Sequence, residues 1–434
     1  MESVILEFDY YIYLYIWSFV LLYPNIFGVC LKDKGVIVKR FLYKDIREHL
    51  SAKQISLIIG ARQVGKTTLL KQLESELNEG NKIVHYFSLE DKEILDLLDK
   101  NAKNLLQLIY KPNKTERVYV LIDEIQYLKD PSNFLKYHYD TYLDQIKFIV
   151  TGSSSFYIDK KFKDSLAGRK RIFELPTLSL KEVLHFKGED KLVSFLNSNT
   201  APLLYTNKIK EYFYEYLIYG GYPEVVLNDS KNEKKLILKE IRDSYAKKDA
   251  VESKLLHHNL YLHLMKLLAG RTGNLLNINS LTADIQLDNK TIDHYLWVMR
   301  KSFHIHYLVP FYKNISSELR KMPKIFFADL GMRNSLINNF SSIGLREDRG
   351  AVLENYIFIL FKNKYNLENI RYWRVQTKNE IDFIIKTDSN EQFAYEVKFN
   401  RKGFSMAKYK NFTNNYPDIP LNCIDLDSAI SFQI

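Results

Sequence analysis

Cysteine is almost missing: Cys30 and Cys423 are the two in 434 residues. Two thiols cannot frame a disulfide scaffold and show no metal-ligand spacing, which fits a reducing compartment. Glycine is scarce at 16, and the ten histidines form no recognisable ligand cluster. Internal repeats are not evident. What is present is the composition of a globular protein, 46% hydrophobic and 26% charged, rich in Tyr (31) and Phe (26). The length is too great for one ordinary core and implies two to four domains. The formal charge of +10 suits a polyanionic partner, nucleic acid or an anionic membrane surface. Surface lysines that only aid solubility give the same total.

Charge is absent altogether from Tyr10 to Leu31, 22 residues reading YYIYLYIWSFVLLYPNIFGVCL. That run is long enough to span a bilayer. Glu2, Glu7 and Asp9 precede it, and Lys32, Lys34, Lys39 and Arg40 follow. This asymmetry would place the C-terminal bulk in the cytoplasm, tethered or free. No basic region precedes the run, which argues against a secretory signal. Pro24, Asn25 and Gly28 weaken it as a helix. Three readings stay open: a membrane anchor, a buried extension, or residues ahead of a true start near Val36 or Val38.

Ile55–Ile59 is a short apolar run suited to a buried parallel strand. It enters GARQVGKTT, formed by Gly60, Ala61, Arg62, Gln63, Val64, Gly65, Lys66, Thr67 and Thr68. Every fixed position of G-x-x-x-x-G-K-[ST] is filled, and Leu69, Leu70, Leu73 and Leu77 then mark one helical face ending near Gly80. Loop amides and a helix N-terminus capture phosphates, Lys66 adds a point charge, and the Thr67 hydroxyl can ligate Mg²⁺. A second buried run, Val118–Ile122, ends in Asp123-Glu124. Asp123 would hold the hydration shell of Mg²⁺, and Glu124 would polarise the attacking water. A third, Ile146–Val150, ends in Thr151, Ser153 and Ser154. Those hydroxyls either sense the terminal phosphate or make an ordinary turn. Arg169, with Lys170 and Arg171, is either a solvated run or a finger reaching the triphosphate of its own or a neighbouring subunit. A finger of the second kind requires a homo-oligomer.

RFLYKDIREHL, GARQVGKTTLL, VLIDEIQYL, FIVTGSSS, LAGRKRIFELPTLSLKEVL and YGGYPEVVL occur in that order. Together they resemble a prokaryotic family of AAA-plus-type ATPases, from about Arg40 to about Lys398. The resemblance implies an α/β fold: a P-loop NTPase (AAA-plus-like) parallel sheet, a helical lid, a winged helix and a C-terminal restriction-endonuclease-like α/β domain. The expected divisions are 1–35, 36–180 for the ATPase core, 181–270 for the lid, 271–340 for the winged helix and 341–434. ATP hydrolysis with Mg²⁺ is the implied activity.

In the winged-helix stretch, Ser280 and Thr291 are expected as caps of two helices, with Tyr295, Leu296 and Met299 inward. Strands are expected at His304–Pro310 and Lys324–Ala328. Eight Lys or Arg stand against five Asp or Glu between Arg271 and Asp329. That surplus is weak for tracking phosphates, so DNA binding and protein contact are equally open.

GAVLENYIFILFKNKY is expected to be a helix with Leu353, Ile357 and Leu360 on one side. NIRYWRV is expected as a strand, and EIDFIIKTDSNEQFAYEVK reads as a hairpin by its period-2 alternation. The resemblance implies that Asp382, Glu396 and Lys398, with Glu354 as an added helical acid, bind Mg²⁺ and cleave a phosphodiester. The other reading is a non-catalytic fold whose charges are structural. The function expected overall is ATP hydrolysis coupled to a DNA-directed C-terminal module. The alternative is an ATP-gated protein-interaction switch without cleavage.

Overall fold

The computed structural model describes residues 38–110, 116–153, 166–196, 202–252, 258–311, 322–375 and 379–432. The uncharged Tyr10–Leu31 run and Ser154 lie outside them. Among the described residues no helix is long and apolar enough to cross a membrane.

The first sheet is formed by β1 (Ile55–Ile59), β2 (Ile83–Ser88), β3 (Val118–Asp123), β4 (Ile146–Gly152) and β5 (Lys170–Glu174). They pair in the order β2-β3-β4-β1-β5, and every neighbouring pair is parallel. β1 and β4 are buried along their whole length, as strands covered on both faces must be. Helix α1 (Leu42–Glu48) precedes β1, and α2 (Lys66–Glu79), α3 (Lys92–Lys100) and α4 (Pro131–Tyr142) lie between strands along the chain. The leucine stripe of α2 packs inward, and the helix ends at Gly80, whose N–H donates to the Glu76 carbonyl. Because β4 lies between β1 and β3, the loop after β1 and the acids after β3 flank the end of β4.

A helical region follows with α5 (Leu180–Phe186), α6 (Leu203–Tyr219), α7 (Lys231–Glu252) and α8 (His258–Gly270). Gly220-Gly221 makes a turn into which no side chain fits: a methyl on Gly221 would run into the Leu178 carbonyl, and one on Gly220 into Asp329. The Gly221 N–H donates instead to Asp329 Oδ2 at 2.8 Å.

Next come α9 (Ile278–Ile285) and α10 (Asn289–Lys301), then β6 (Ile305–Leu308) and β7 (Lys324–Phe327), which pair antiparallel. Tyr295, Leu296 and Met299 are buried. The caps differ from expectation by three positions. Asn277 and Asp288 accept from the N–H groups of Ser280 and Thr291, so Ser280 and Thr291 sit in the first turn and not at the cap. Aspartate and asparagine win this role because their carboxyl or amide oxygen reaches the third N–H directly.

After α11 (Leu330–Leu336) and α12 (Arg349–Lys364), a mixed sheet forms from β8 (Ile370–Arg374), β9 (Glu380–Lys386), β10 (Gln392–Val397) and β11 (Leu421–Ile424). Its order is β11-β10-β9-β8. β9 and β10 are the hairpin, with Phe383 opposite Tyr395 and Ile385 opposite Phe393. The one-sided pattern expected for α12 is corrected: Val352, Leu353, Asn355 through Ile359 and Phe361 are buried, while Leu360 is only half-buried. A helix buried nearly all round is an interior helix. One continuous core joins α6, β7, α12 and the mixed sheet through Phe213, Phe326, Phe358 and Phe383.

Inside that core the Asn355 amide clasps β7. Its Oδ1 accepts from the Phe327 N–H and its Nδ2 donates to the Phe327 carbonyl, both at 2.8 Å. Asn355→Leu keeps the volume and strands both backbone groups. It is expected to lower unfolding free energy by about 2–4 kcal/mol, read from denaturant titration. An unchanged midpoint would show that the clasp contributes nothing.

Candidate functional site

The phosphate loop is shaped by backbone constraints. Gly65 has φ +97°, a left-handed conformation that glycine tolerates without cost. A methyl on Gly60 would strike the Leu175 carbonyl oxygen, because β5 runs directly alongside and Leu175 N–H donates to Ile59 O at 2.7 Å. Val64, inside the loop, is fully buried. Its carbonyl accepts from Arg40 Nη1 at 2.8 Å. The same guanidinium donates to the Pro176 carbonyl at 2.8 Å and to Glu182 at 2.8 and 3.3 Å. Burial would raise the Glu182 carboxyl, but Arg40 outweighs it and holds the group below the usual range. Tyr245 of α7 donates to the Arg62 carbonyl, closing the loop from the other side.

Lys66 is buried, and its ammonium donates to the carbonyls of Gly60 at 2.9 Å and Ala61 at 2.7 Å. Burial lowers its pKa, with Glu124 and Asp123 opposing the shift. Thr67 Oγ1 donates to Asp123 Oδ2 at 2.6 Å. Tyr86 donates to the same oxygen at 3.3 Å, and Thr151 donates to Oδ1. Glu124 has left-handed backbone angles, φ 57° and ψ 49°, and its N–H donates to Thr151 Oγ1 at 3.0 Å. Gln126 bridges the Glu124 carboxylate and the Ser153 hydroxyl, the latter at 3.0 Å. The structure thus brings together Lys66, Thr67, Asp123, Glu124, Thr151 and Ser153. Tyr86 and Gln126 complete the group and were not singled out in the sequence; Gln126 stands two residues after Glu124, which was its one visible signal.

Arg169 is not part of this group. Its carbonyl accepts from Ile55 N–H, at the start of β1, while the loop follows the end of β1. Five strand residues separate the two ends, about 17 Å, and the guanidinium pairs with Asp140 at 2.8 Å. A finger toward the site of its own chain is therefore corrected: β5 runs parallel to β1, which sets the residue before β5 at the far edge of the sheet.

The hairpin acids form a second cluster, and its centre is a residue the sequence did not announce. Lys324, first residue of β7, places its ammonium 2.8 Å from Glu354 Oε1, 2.5 Å from Glu380 Oε1 and 3.4 Å from Asp382 Oδ1. Its side chain is 2% exposed. Burial alone would lower its pKa, but the three carboxylates outweigh that and hold it charged. Burial raises the Glu354 and Glu396 carboxyls, and Lys324 and Lys398 oppose the shift at each. Asp382 Oδ2 accepts from the Val397 N–H at 2.8 Å, and Lys398 pairs with Glu396. Glu396 Oε2 is buried with no hydrogen-bond partner.

The two sites differ toward a metal ion. At the loop, Thr67 and Asp123 offer a hydroxyl and a carboxylate, hard oxygen donors that fit Mg²⁺ carried on a nucleotide's phosphates. Around Glu354, Asp382 and Glu396 the fit fails. Lys324 stands among the carboxylates, Lys398 takes a Glu396 oxygen, and among the described residues no three His, Cys, Asp or Glu are placed to hold a metal.

Residues 52–184 match a family described as an AAA domain. Residues 210–343 and 349–426 match two families described as domains of unknown function, DUF8612 and DUF4143. The chain is similar to an uncharacterized protein of Methanocaldococcus jannaschii, 26% identical over 86% of this chain and 81% of that protein. It is also similar to an uncharacterized protein of Haemophilus influenzae, 28% identical over 88% of this chain and 90% of the relative. Solved structures with similar parts include the Aeropyrum pernix Orc1 protein in complex with DNA. That likeness has TM-score 0.32 at 12% identity, over 70% of this chain and 93% of that one. Another is AMPPCP-bound DnaA from Aquifex aeolicus, TM-score 0.29 at 18% identity, over 62% and 90%. The parallel sheet, its strand order and the loop after β1 define a P-loop NTPase fold of the AAA-like kind, followed by a C-terminal mixed sheet.

Arg40→Ala leaves Glu182 buried without its partner and frees the Val64 carbonyl. The expected cost is about 3–5 kcal/mol of stability. Arg40→Lys is expected to restore part of it, because a point charge replaces one bond of the fork. Denaturant unfolding of the three proteins checks the order.

Proposed function

We propose that this protein binds Mg-ATP at the loop and hydrolyses it. The observation that supports the reading is the pairing of Thr67 with Asp123 at 2.6 Å, with Lys66 and Glu124 beside them. Bound nucleotide draws the Lys66 ammonium from the Gly60 and Ala61 carbonyls to the phosphates. Thr67 and Asp123 would hold Mg²⁺, which would neutralise charge on the phosphates. Glu124 accepts the proton of the attacking water, and Gln126 with Ser153 holds that carboxylate in place. The loop's own amides, on the N-terminal side of α2, bind the phosphate oxygens.

The nucleotide state is passed to a C-terminal unit that docks on a partner. The charge of +10 supports nucleic acid as that partner. The exposed face of α10 supports the second reading, a protein partner, because Lys290 and Arg300 are interleaved with Asp293 and His294. A restriction-endonuclease-like ancestry fits the helix, strand and hairpin order from α12 to β10. The lysine-filled cluster favours docking over cutting.

Lys66→Ala is expected to abolish ATP binding, and Glu124→Gln to keep binding while kcat falls about 10²–10⁴-fold. Phosphate release and a fluorescent-nucleotide titration separate the two. Full turnover in Lys66→Ala would end the ATPase reading. Turnover measured with and without duplex DNA, at two salt concentrations, decides between the partners: a salt-sensitive rise supports nucleic acid.

A further inference from the structure

We infer that the Lys324 ammonium is a built-in cation, filling the acidic cluster in place of a metal ion and locking β7 to the C-terminal sheet. Carboxylates converge on it from two directions, Glu354 from α12 and Glu380 and Asp382 from β9, while Lys324 itself enters from β7. An ammonium has three protons and no acceptor; here it donates to Glu354 and Asp382 and is ion-paired with Glu380. At 2% exposure the charge has no water to fall back on. A buried ammonium is held only where its partners repay the lost hydration.

The surroundings fix the arrangement. Asp382 cannot turn away, because its second oxygen takes the Val397 N–H at 2.8 Å. Glu380 is also held by Arg374 at 2.9 Å. The Tyr372 ring lies 5.6 Å from the Lys324 ammonium, a further favourable contact for a cation, and the Tyr372 hydroxyl donates to the Met322 carbonyl, just before β7. β7 is thus tied beside the lysine as well as through it. A lysine that merely strayed into a metal site would not find its own strand anchored in this way.

The inference is independent of ATP hydrolysis, and so is its test. Thermal unfolding of the nucleotide-free full chain is followed with Mn²⁺ at millimolar concentration and with chelator. The proteins are wild type, Lys324→Met, Asp382→Asn and the double variant. Wild type is expected to show no Mn²⁺-dependent shift that Asp382→Asn removes. Lys324→Met is expected to melt several degrees lower and to be raised again by Mn²⁺, because the vacated carboxylates take the ion. The double variant is expected to lose that rescue. A wild-type shift abolished in Asp382→Asn would overturn the inference, since the cluster would then take a metal despite its lysine. A folded Lys324→Met that ignores Mn²⁺ would overturn it equally. Should Lys324→Met fail to fold, Lys324→Gln replaces it, and the wild-type arm still reads.

Discussion

The phosphate loop depends on one buried guanidinium. Arg40 lies ahead of α1, yet its three nitrogens reach the loop at Val64, the segment leaving β5 at Pro176, and Glu182 on α5. Glu182 in turn accepts from the N–H groups of Phe41 and Ser179, both at 3.1 Å, so it caps α5 and orients Arg40 at once. A planar fork suits this role, since its donors point in fixed directions and cannot all be matched by an ammonium. The loop is therefore set from outside itself. Gly60 and Gly65 permit its path, and Arg40 selects that path from the ones glycine permits.

The same segment begins a continuous line of contacts to the far cluster. Leu175 is bonded to Ile59, and Leu178 N–H donates to the Gly221 carbonyl at 2.7 Å. Gly221 is held by Asp329, which caps α11 just after β7. The first residue of β7 is Lys324. In parallel, Glu174 at the end of β5 pairs with Lys362 of α12 at 3.0 Å, and α12 carries Glu354. Under the proposed nucleotide binding, a shift of the loop would meet both the strand that carries the cation and the helix that carries one of its carboxylates. Contact of this kind is what an ATP-driven rearrangement requires, though coupling itself is an energetic quantity.

The loop, its strand and the acid pair were legible because their chemistry is local: nine consecutive residues fix the phosphate cradle, and Asp123-Glu124 directly ends an apolar run. The sheet followed from the same runs. The hairpin was legible from alternation, which specifies a face without naming what lies across it. Lys324 was not legible. It reads as the polar first residue of a short strand, and its partners lie 30 and 58 residues away. Arg40 and Glu182, 142 residues apart, were hidden for the same reason. The own-chain finger reading of Arg169 failed because adjacency to a strand does not say at which end of the sheet the residue falls; the parallel pairing of β5 with β1 decides that.

The two acidic sites show why similar residues serve different chemistry. Asp123 is held by hydroxyls, from Thr67, Thr151 and Tyr86. A hydroxyl can donate or accept by rotating about one bond, so these partners can release the carboxylate to a hydrated cation without moving the backbone. The far cluster is held by ammonium and amide donors, which cannot accept. Lys324 is buried at the start of β7, and β7 is gripped by Asn355 and by the bond from Tyr372 to Met322. Under the proposed hydrolysis, the first site is suited to exchange a cation at each turnover, and the second to keep the one it has. Carboxylate count and spacing, which a sequence displays, do not separate these cases. The mobility of the donors around them does, and that is set by contacts distant along the chain.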